Sequence, residues 1–162
     1  EGWVYLADII GIKKGEKGKP GEISGMIDYS SDCCLGTITE NTQLGIRGEI
    51  TNQAKTAGES YEVCYKQDIR LGTAYIISQV SGERELYEIS IESLDYSGEV
   101  ENKGILFRVT DPKLLELTGG IVQGMSGSPI IQDGKIIGAV THVFVSDASM
   151  GYGIFIEKML GQ

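Results

Sequence analysis

Residues 124–129, Gly-Met-Ser-Gly-Ser-Pro, run directly into two apolar runs, Pro129-Ile130-Ile131 and Ile136-Ile137-Gly138-Ala139-Val140, separated by Gln132-Asp133-Gly134-Lys135. Asp-Gly between two apolar runs predicts a tight β-hairpin. The glycines around Ser126 allow a sharp turn and a close approach of backbone to a bound molecule. Such a turn can aim amide N–H groups at one spot beside the Ser126 hydroxyl, as fixed donors for a developing oxyanion. Ser126 is therefore expected on a tight loop leading into a buried hairpin. Gly-x-Ser-Gly alone favours a plain glycine-rich turn with a structural serine, and Gly-x-Ser-Gly-x-Pro with the hairpin behind it is what sharpens the reading.

The rest of the chain reads as short strands broken by turns. Trp3–Ile12 is an apolar strand or strand pair, and Lys13–Glu22 a polar loop. Ile23–Tyr29, Leu35–Glu40 and Gln43–Ile50 follow as strands. Glu59–Tyr65 alternates, with Tyr61, Val63 and Tyr65 taken as the inward set. Gly72–Val80, a turn at Ser81-Gly82-Glu83, and Glu85–Ile91 form an expected hairpin, and Ile105–Val109 is the next strand. The best helical stretch is Lys113–Leu117, with Asp111 as N-cap, Pro112 at the first helical position and Gly119-Gly120 as the stop. Tyr152–Phe155 is a short strand, and Ile156–Leu160 turns helical. With 23 glycines among 162 residues and short apolar runs, the fold class is all-β.

Composition narrows the function. The formal net charge of −9 argues against nucleic-acid binding, which needs a basic face. No apolar run reaches the ~20 residues of a membrane helix, so no membrane contact is expected of this stretch. Three cysteines, Cys33, Cys34 and Cys64, are not a disulfide framework, although a bridge from Cys64 to either neighbour is open in an oxidising compartment. One histidine and no Cys-x-x-Cys spacing speak against zinc, and neither metal nor cofactor is expected.

Gly-x-Ser-Gly-x-Pro with its hairpin resembles the nucleophile loop of chymotrypsin-like serine proteases. That resemblance makes Ser126 the nucleophile and the N–H groups of Gly124 and Ser126 the oxyanion hole. The wider run is more specific: Val109–Leu115, Thr118–Pro129, Gly138–Val145, Gly151-Tyr152-Gly153 and Ile156-Glu157 resemble the peptidase domain of the SpoIVB family of endospore-forming bacteria. A fainter similarity covers Lys14 to Ile50, through Lys17–Glu22, Leu35–Thr39 and Gly45–Gly48, while residues 51–104 carry little.

The resemblance implies a trypsin-like double β-barrel whose first barrel is incomplete. Residues 1–162 form one peptidase domain, 1–100 roughly the first barrel with connecting strands and 101–162 the nucleophile-bearing part. Asp111 becomes the acid member of a catalytic triad, though an ordinary helix cap is an equally physical role for it. Thr141 and His142 become substrate-cleft residues. The family's catalytic histidine, in a Leu-Gly-His context, lies upstream of the segment matching Gly2–Glu22, and His142 is the sole imidazole here. The chain starts abruptly, so it is read as part of a longer protein, inert without that base. The alternatives are His142 as base, or a peptide-binding pseudo-protease. The resemblance further implies export to the forespore intermembrane space, and a membrane anchor and a PDZ domain elsewhere in the parent. It also implies cleavage of itself and of a membrane-bound regulatory complex that activates late sigma-factor processing.

Overall fold

The computed structural model describes residues 2–56 and 58–161. In chain order the elements are β1 (Gly2–Tyr5), β2 (Ala7–Lys13), β3 (Glu22–Ile27), β4 (Cys34–Thr42), β5 (Gly45–Ile50), α1 (Gln53–Thr56) and β6 (Glu62–Val63). There follow β7 (Gly72–Ser78), β8 (Glu85–Leu94), β9 (Ile105–Val109), α2 (Pro112–Thr118), β10 (Pro129–Gln132), β11 (Lys135–Val143), β12 (Met150–Phe155) and α3 (Ile156–Leu160). The fold is all-β, as the sequence predicts. No helix among the described residues is long and apolar enough to cross a membrane.

The second half closes on itself. Antiparallel pairing runs β10-β7-β8-β9-β12-β11 and returns from β11 to β10, a six-stranded barrel without a free edge in the ring. Strict alternation builds its interior. Tyr87, Ile89 and Ile91 of β8 point inward while Leu86 and Glu88 face out, and β9 buries Ile105, Phe107 and Val109 around an exposed Arg108. Phe107 is fully buried, and truncation of such a side chain costs about 3–5 kcal/mol. Two of the ring's strands, β7 and β8, lie before residue 100.

The first half builds no comparable interior. It consists of a three-stranded sheet, β1-β4-β5, and a separate β2–β3 hairpin. Every residue of the buried core cluster lies at Cys64 or beyond, with Ile12 and Ile23 packed partly against it. Trp3 is 62% exposed, and Ile10, Met26, Ile46 and Ile50 are exposed as well. This matches the expectation of an incomplete first barrel. Trp3–Ile12 is a strand pair, interrupted at Leu6.

Two local expectations are corrected. Only Glu62–Val63 of the Glu59–Tyr65 stretch is strand, and it pairs in parallel with β11 at the outside of the ring. The inward residue there is Cys64, whose N–H donates to the Ile136 carbonyl (2.9 Å), whereas Tyr65 is 46% exposed. A short edge strand takes its orientation from the strand it docks against, and seven alternating residues do not encode that partner. All three cysteines are free thiols, and burial pushes the Cys64 thiol up from its ordinary value.

Candidate active site

The serine loop hangs between two anchors. On one side Met125, 1% exposed, drops into the barrel core. On the other the loop continues the hairpin ladder: Gly127 N–H donates to the Val140 carbonyl (2.8 Å), and Val140 N–H to the Ser128 carbonyl (2.9 Å). Inside the loop, Met125 N–H reaches Val122 O (3.1 Å) and Ser128 N–H reaches Met125 O (3.0 Å). Downstream, Asp133 (φ 50°) and Gly134 (φ 75°) make the left-handed pair that a two-residue hairpin turn needs.

The first half of the chain braces the loop from below. Gln123 N–H donates to Gly21 O (2.9 Å), and Ile23 N–H donates to Gln123 O (2.8 Å). Gly124 sits at φ 104°, where a Cβ would lie 3.2 Å from Ile23 Cβ, so both its dihedral and its packing call for glycine.

Between these anchors Ser126 is exposed, and its Oγ donates to the Thr141 carbonyl at 3.3 Å. Among the described residues, the N–H groups of Gly124 and Ser126 donate to no protein acceptor. The loop thus presents an exposed hydroxyl, bonded to the Thr141 carbonyl, and two backbone donors without a protein acceptor among the described residues. That is the equipment for attack on a carbonyl and for holding the oxyanion that results.

Ser126 opens into a cavity of about 260 Å³ that both halves of the chain line. The barrel contributes Gly127, Thr141 and His142, and the β4–β5 hairpin contributes its tip, Thr42 to Gly45. Thr141 is held by its own side chain, whose Oγ1 donates to the carbonyls of Asn102 (2.6 Å) and Tyr152 (3.2 Å). The cavity therefore brings Ser126, Thr141 and His142 together. The hairpin tip and Asn102 were missed by sequence reasoning. Nothing in their local pattern marks them, since only the packing of the two halves puts them there.

His142 is exposed on β11, and no hydrogen bond joins it to Ser126 among the described residues. Partial burial, helped by the charge of Lys103, holds its imidazole below the ordinary value, so it is neutral at neutral pH.

Asp111 is not among the residues lining this cavity and sits at the corner between β9 and α2. It is the N-cap of α2, with Oδ1 accepting from the N–H groups of Lys113 (2.9 Å) and Leu114 (3.3 Å). Its Oδ2 accepts from Glu88 N–H (3.1 Å). Nearby, Lys113 pairs with Glu85, which also accepts from Ser81 and Tyr87. Lys113 first, then the two hydroxyls, hold the Glu85 carboxyl down at about 2. No group of three or more His, Cys, Asp or Glu side chains among the described residues is placed to hold a metal ion.

A closed antiparallel six-stranded barrel, with a second β-rich half meeting it at an exposed serine, defines an all-β protein of the trypsin-like class. The family described as SpoIVB peptidase S55 matches residues 1–160, and the chain belongs to that family. It is by family a serine peptidase of the SpoIVB type, and its substrates are accordingly proteins. No curated protein matches the chain.

Proposed function

We propose that Ser126 is the nucleophile of a serine endopeptidase and that the Gly124 and Ser126 N–H groups are its oxyanion hole. One observation carries the reading: an exposed hydroxyl and two N–H groups without a protein acceptor among the described residues, on a loop pinned at both ends. Thr141 and His142 then lie against bound substrate in the cleft. Asp111 orients the base. A carboxylate offers about four acceptor sites, and the cap and the Glu88 N–H use three, which leaves room on Oδ2 for an imidazole N–H. The base itself comes from outside residues 1–162, in a Leu-Gly-His segment expected upstream. In this reading the parent protein is membrane-anchored with a PDZ domain and is exported to the forespore intermembrane space. There it cleaves itself and a membrane-bound regulatory complex, activating late sigma-factor processing.

The test is Ser126→Ala in the full-length protein. Self-cleavage and cleavage of the regulatory complex should both disappear, and persistence of either would remove Ser126 from the role. The second reading, a peptide-binding pseudo-protease, draws on the lack of any bond between His142 and Ser126 among the described residues. It requires the full-length protein to be inert with Ser126 intact.

A further inference from the structure

The Gly124–Pro129 loop is a wall between two cavities. One holds Ser126 with the β11 edge at Thr141 and His142. The other, about 450 Å³, lies across the loop, walled by Gly124 and Ser128, floored by Ile9, Ile23 and Ile77, and rimmed by Arg84. It continues past Ile77 and Arg84 into an adjoining hollow of about 430 Å³ beside Tyr61 and Glu85. Arg84 thus stands where two hollows meet, on the turn between β7 and β8.

The electrostatics of this position are unusual for so acidic a chain. The other three arginines are all paired: Arg47 with Glu40, Arg70 with Asp133, Arg108 with Glu92 and Asp147. Arg84 has no ion pair and no hydrogen bond among the described residues. The carboxylates nearest the hollow are committed elsewhere. Glu59 accepts from the Tyr61 hydroxyl (2.8 Å), and Glu85 is taken by Lys113, Ser81 and Tyr87. Arg84 is therefore a forked, permanently charged donor over an apolar floor, one loop away from the reacting serine.

We propose that Arg84 is a specificity residue, binding an acidic side chain of the peptide substrate on the leaving-group side of the scissile bond. This rests on Ser126 being the nucleophile. With the scissile carbonyl over Ser126 and its oxygen turned to the Gly124 and Ser126 N–H groups, the acyl side of the substrate lies along the β11 edge. The leaving side then crosses Gly124 into the hollow that Arg84 rims. Isoleucine side chains there take the stem of a glutamate, and the guanidinium takes its carboxylate with two parallel N–H bonds. Arg84 is exposed, so the preference is of the size of one solvent-facing pair, about fivefold, and weakens as salt is added.

The experiment titrates the 162-residue chain with a short alanine peptide carrying one glutamate, and with its glutamine counterpart, following backbone amides and the Arg84 Nε–H by NMR. The glutamate peptide should bind about fivefold more tightly and shift Arg84 together with Gly124 and Ser128. Arg84→Gln should erase the preference, and Arg84→Glu should reverse it. Equal binding of the two peptides, no binding of either, or a preference that survives Arg84→Gln would overturn the proposal. Full-length protein that still cleaves after Ser126→Ala, with the Arg84 preference intact, removes the nucleophile assignment and with it the placement on the leaving side. Loss of cleavage on Ser126→Ala without the preference removes only the role of Arg84.

Discussion

Asp111 and Glu88 hold each other in both directions: Glu88 N–H donates to Asp111 Oδ2 (3.1 Å), and Asp111 N–H returns a bond to the Glu88 carbonyl (3.0 Å). The exchange ties the start of α2 to the middle of β8. It also separates two roles that one carboxylate can play. Asp111→Asn keeps one oxygen for the cap but turns an NH2 toward the Glu88 N–H, donor against donor. An unsatisfied donor costs roughly 1–3 kcal/mol if buried, and this half-buried site should show about 1 kcal/mol by denaturant unfolding. If Asp111 also orients the base, turnover of the full-length enzyme should fall about 10⁴-fold, far more than such destabilisation explains. Turnover that tracks the folded fraction alone would leave Asp111 as a cap only.

Residues 1–162 by themselves should be unreactive toward a fluorophosphonate probe. Their one imidazole, His142, shares the Ser126 cavity without bonding the hydroxyl, and a serine without a base is a poor nucleophile. Adding the Leu-Gly-His segment, in cis or as a peptide, should restore labelling. Strong labelling without it, abolished by His142→Ala, would make His142 the base.

The loop should tolerate change unevenly. Ser128 contributes its carbonyl to the ladder and its N–H to the Met125 carbonyl, both through the backbone, so Ser128→Ala should keep most activity. Met125→Ala empties a buried site and should cost about 2–5 kcal/mol, with loss of activity through loosening of the adjacent donors. Equal loss of activity in Ser128→Ala and Ser126→Ala would mean that loop shape, rather than one hydroxyl, carries the function.

The pair between Glu85 and Lys113 has a defined acid window. The Glu85 carboxyl titrates at about 2 in the folded chain against an ordinary 4.5. The folded state thus favours the ionised form. Its contribution is fully present above pH 4.5 and is lost as pH falls from there toward 2. Thermal melts across that range should show a shallower acid decline for Glu85→Gln than for the parent. His142 works in the same direction at higher pH. Its neutral form is favoured on folding, so its contribution is full above its ordinary 6.5 and declines as pH falls below that value. Identical slopes for Glu85→Gln and parent between pH 4.5 and 2 would contradict the Glu85 assignment.

What the sequence disclosed was local chemistry. Asp133-Gly134 specified a hairpin because two left-handed residues in succession suit few other pairs. Asp111-Pro112 specified a helix start because cap and fixed φ act within one turn. What stayed hidden was set at long range. Cys64 faces the core because β6 docks on β11, and Thr42–Gly45 reaches Ser126 only through the meeting of two halves. Arg84 gave no signal either, since being unpaired depends on what Glu59 and Glu85 are doing elsewhere. Strand membership of the ring was equally closed to inspection: β7 pairs with β10 across more than fifty intervening residues, and nothing in either strand names the other.

The serine loop lies on the seam of the ring, because β10 and β11, the two strands that follow it, complete the circuit from β7 to β12. Gly127 N–H reaches the Val140 carbonyl in line with the β10–β11 pairing, so the loop is anchored on that seam. During synthesis β7, β8 and β9 exist before the hairpin does, and an open sheet has no place to hold the two N–H donors. If Ser126 is the nucleophile, its backbone donors are therefore set only when β10 and β11 have joined the ring, and a chain caught midway carries the serine without them. Damage anywhere around the circumference, however distant from Ser126, should reach the site as slackness in that seam.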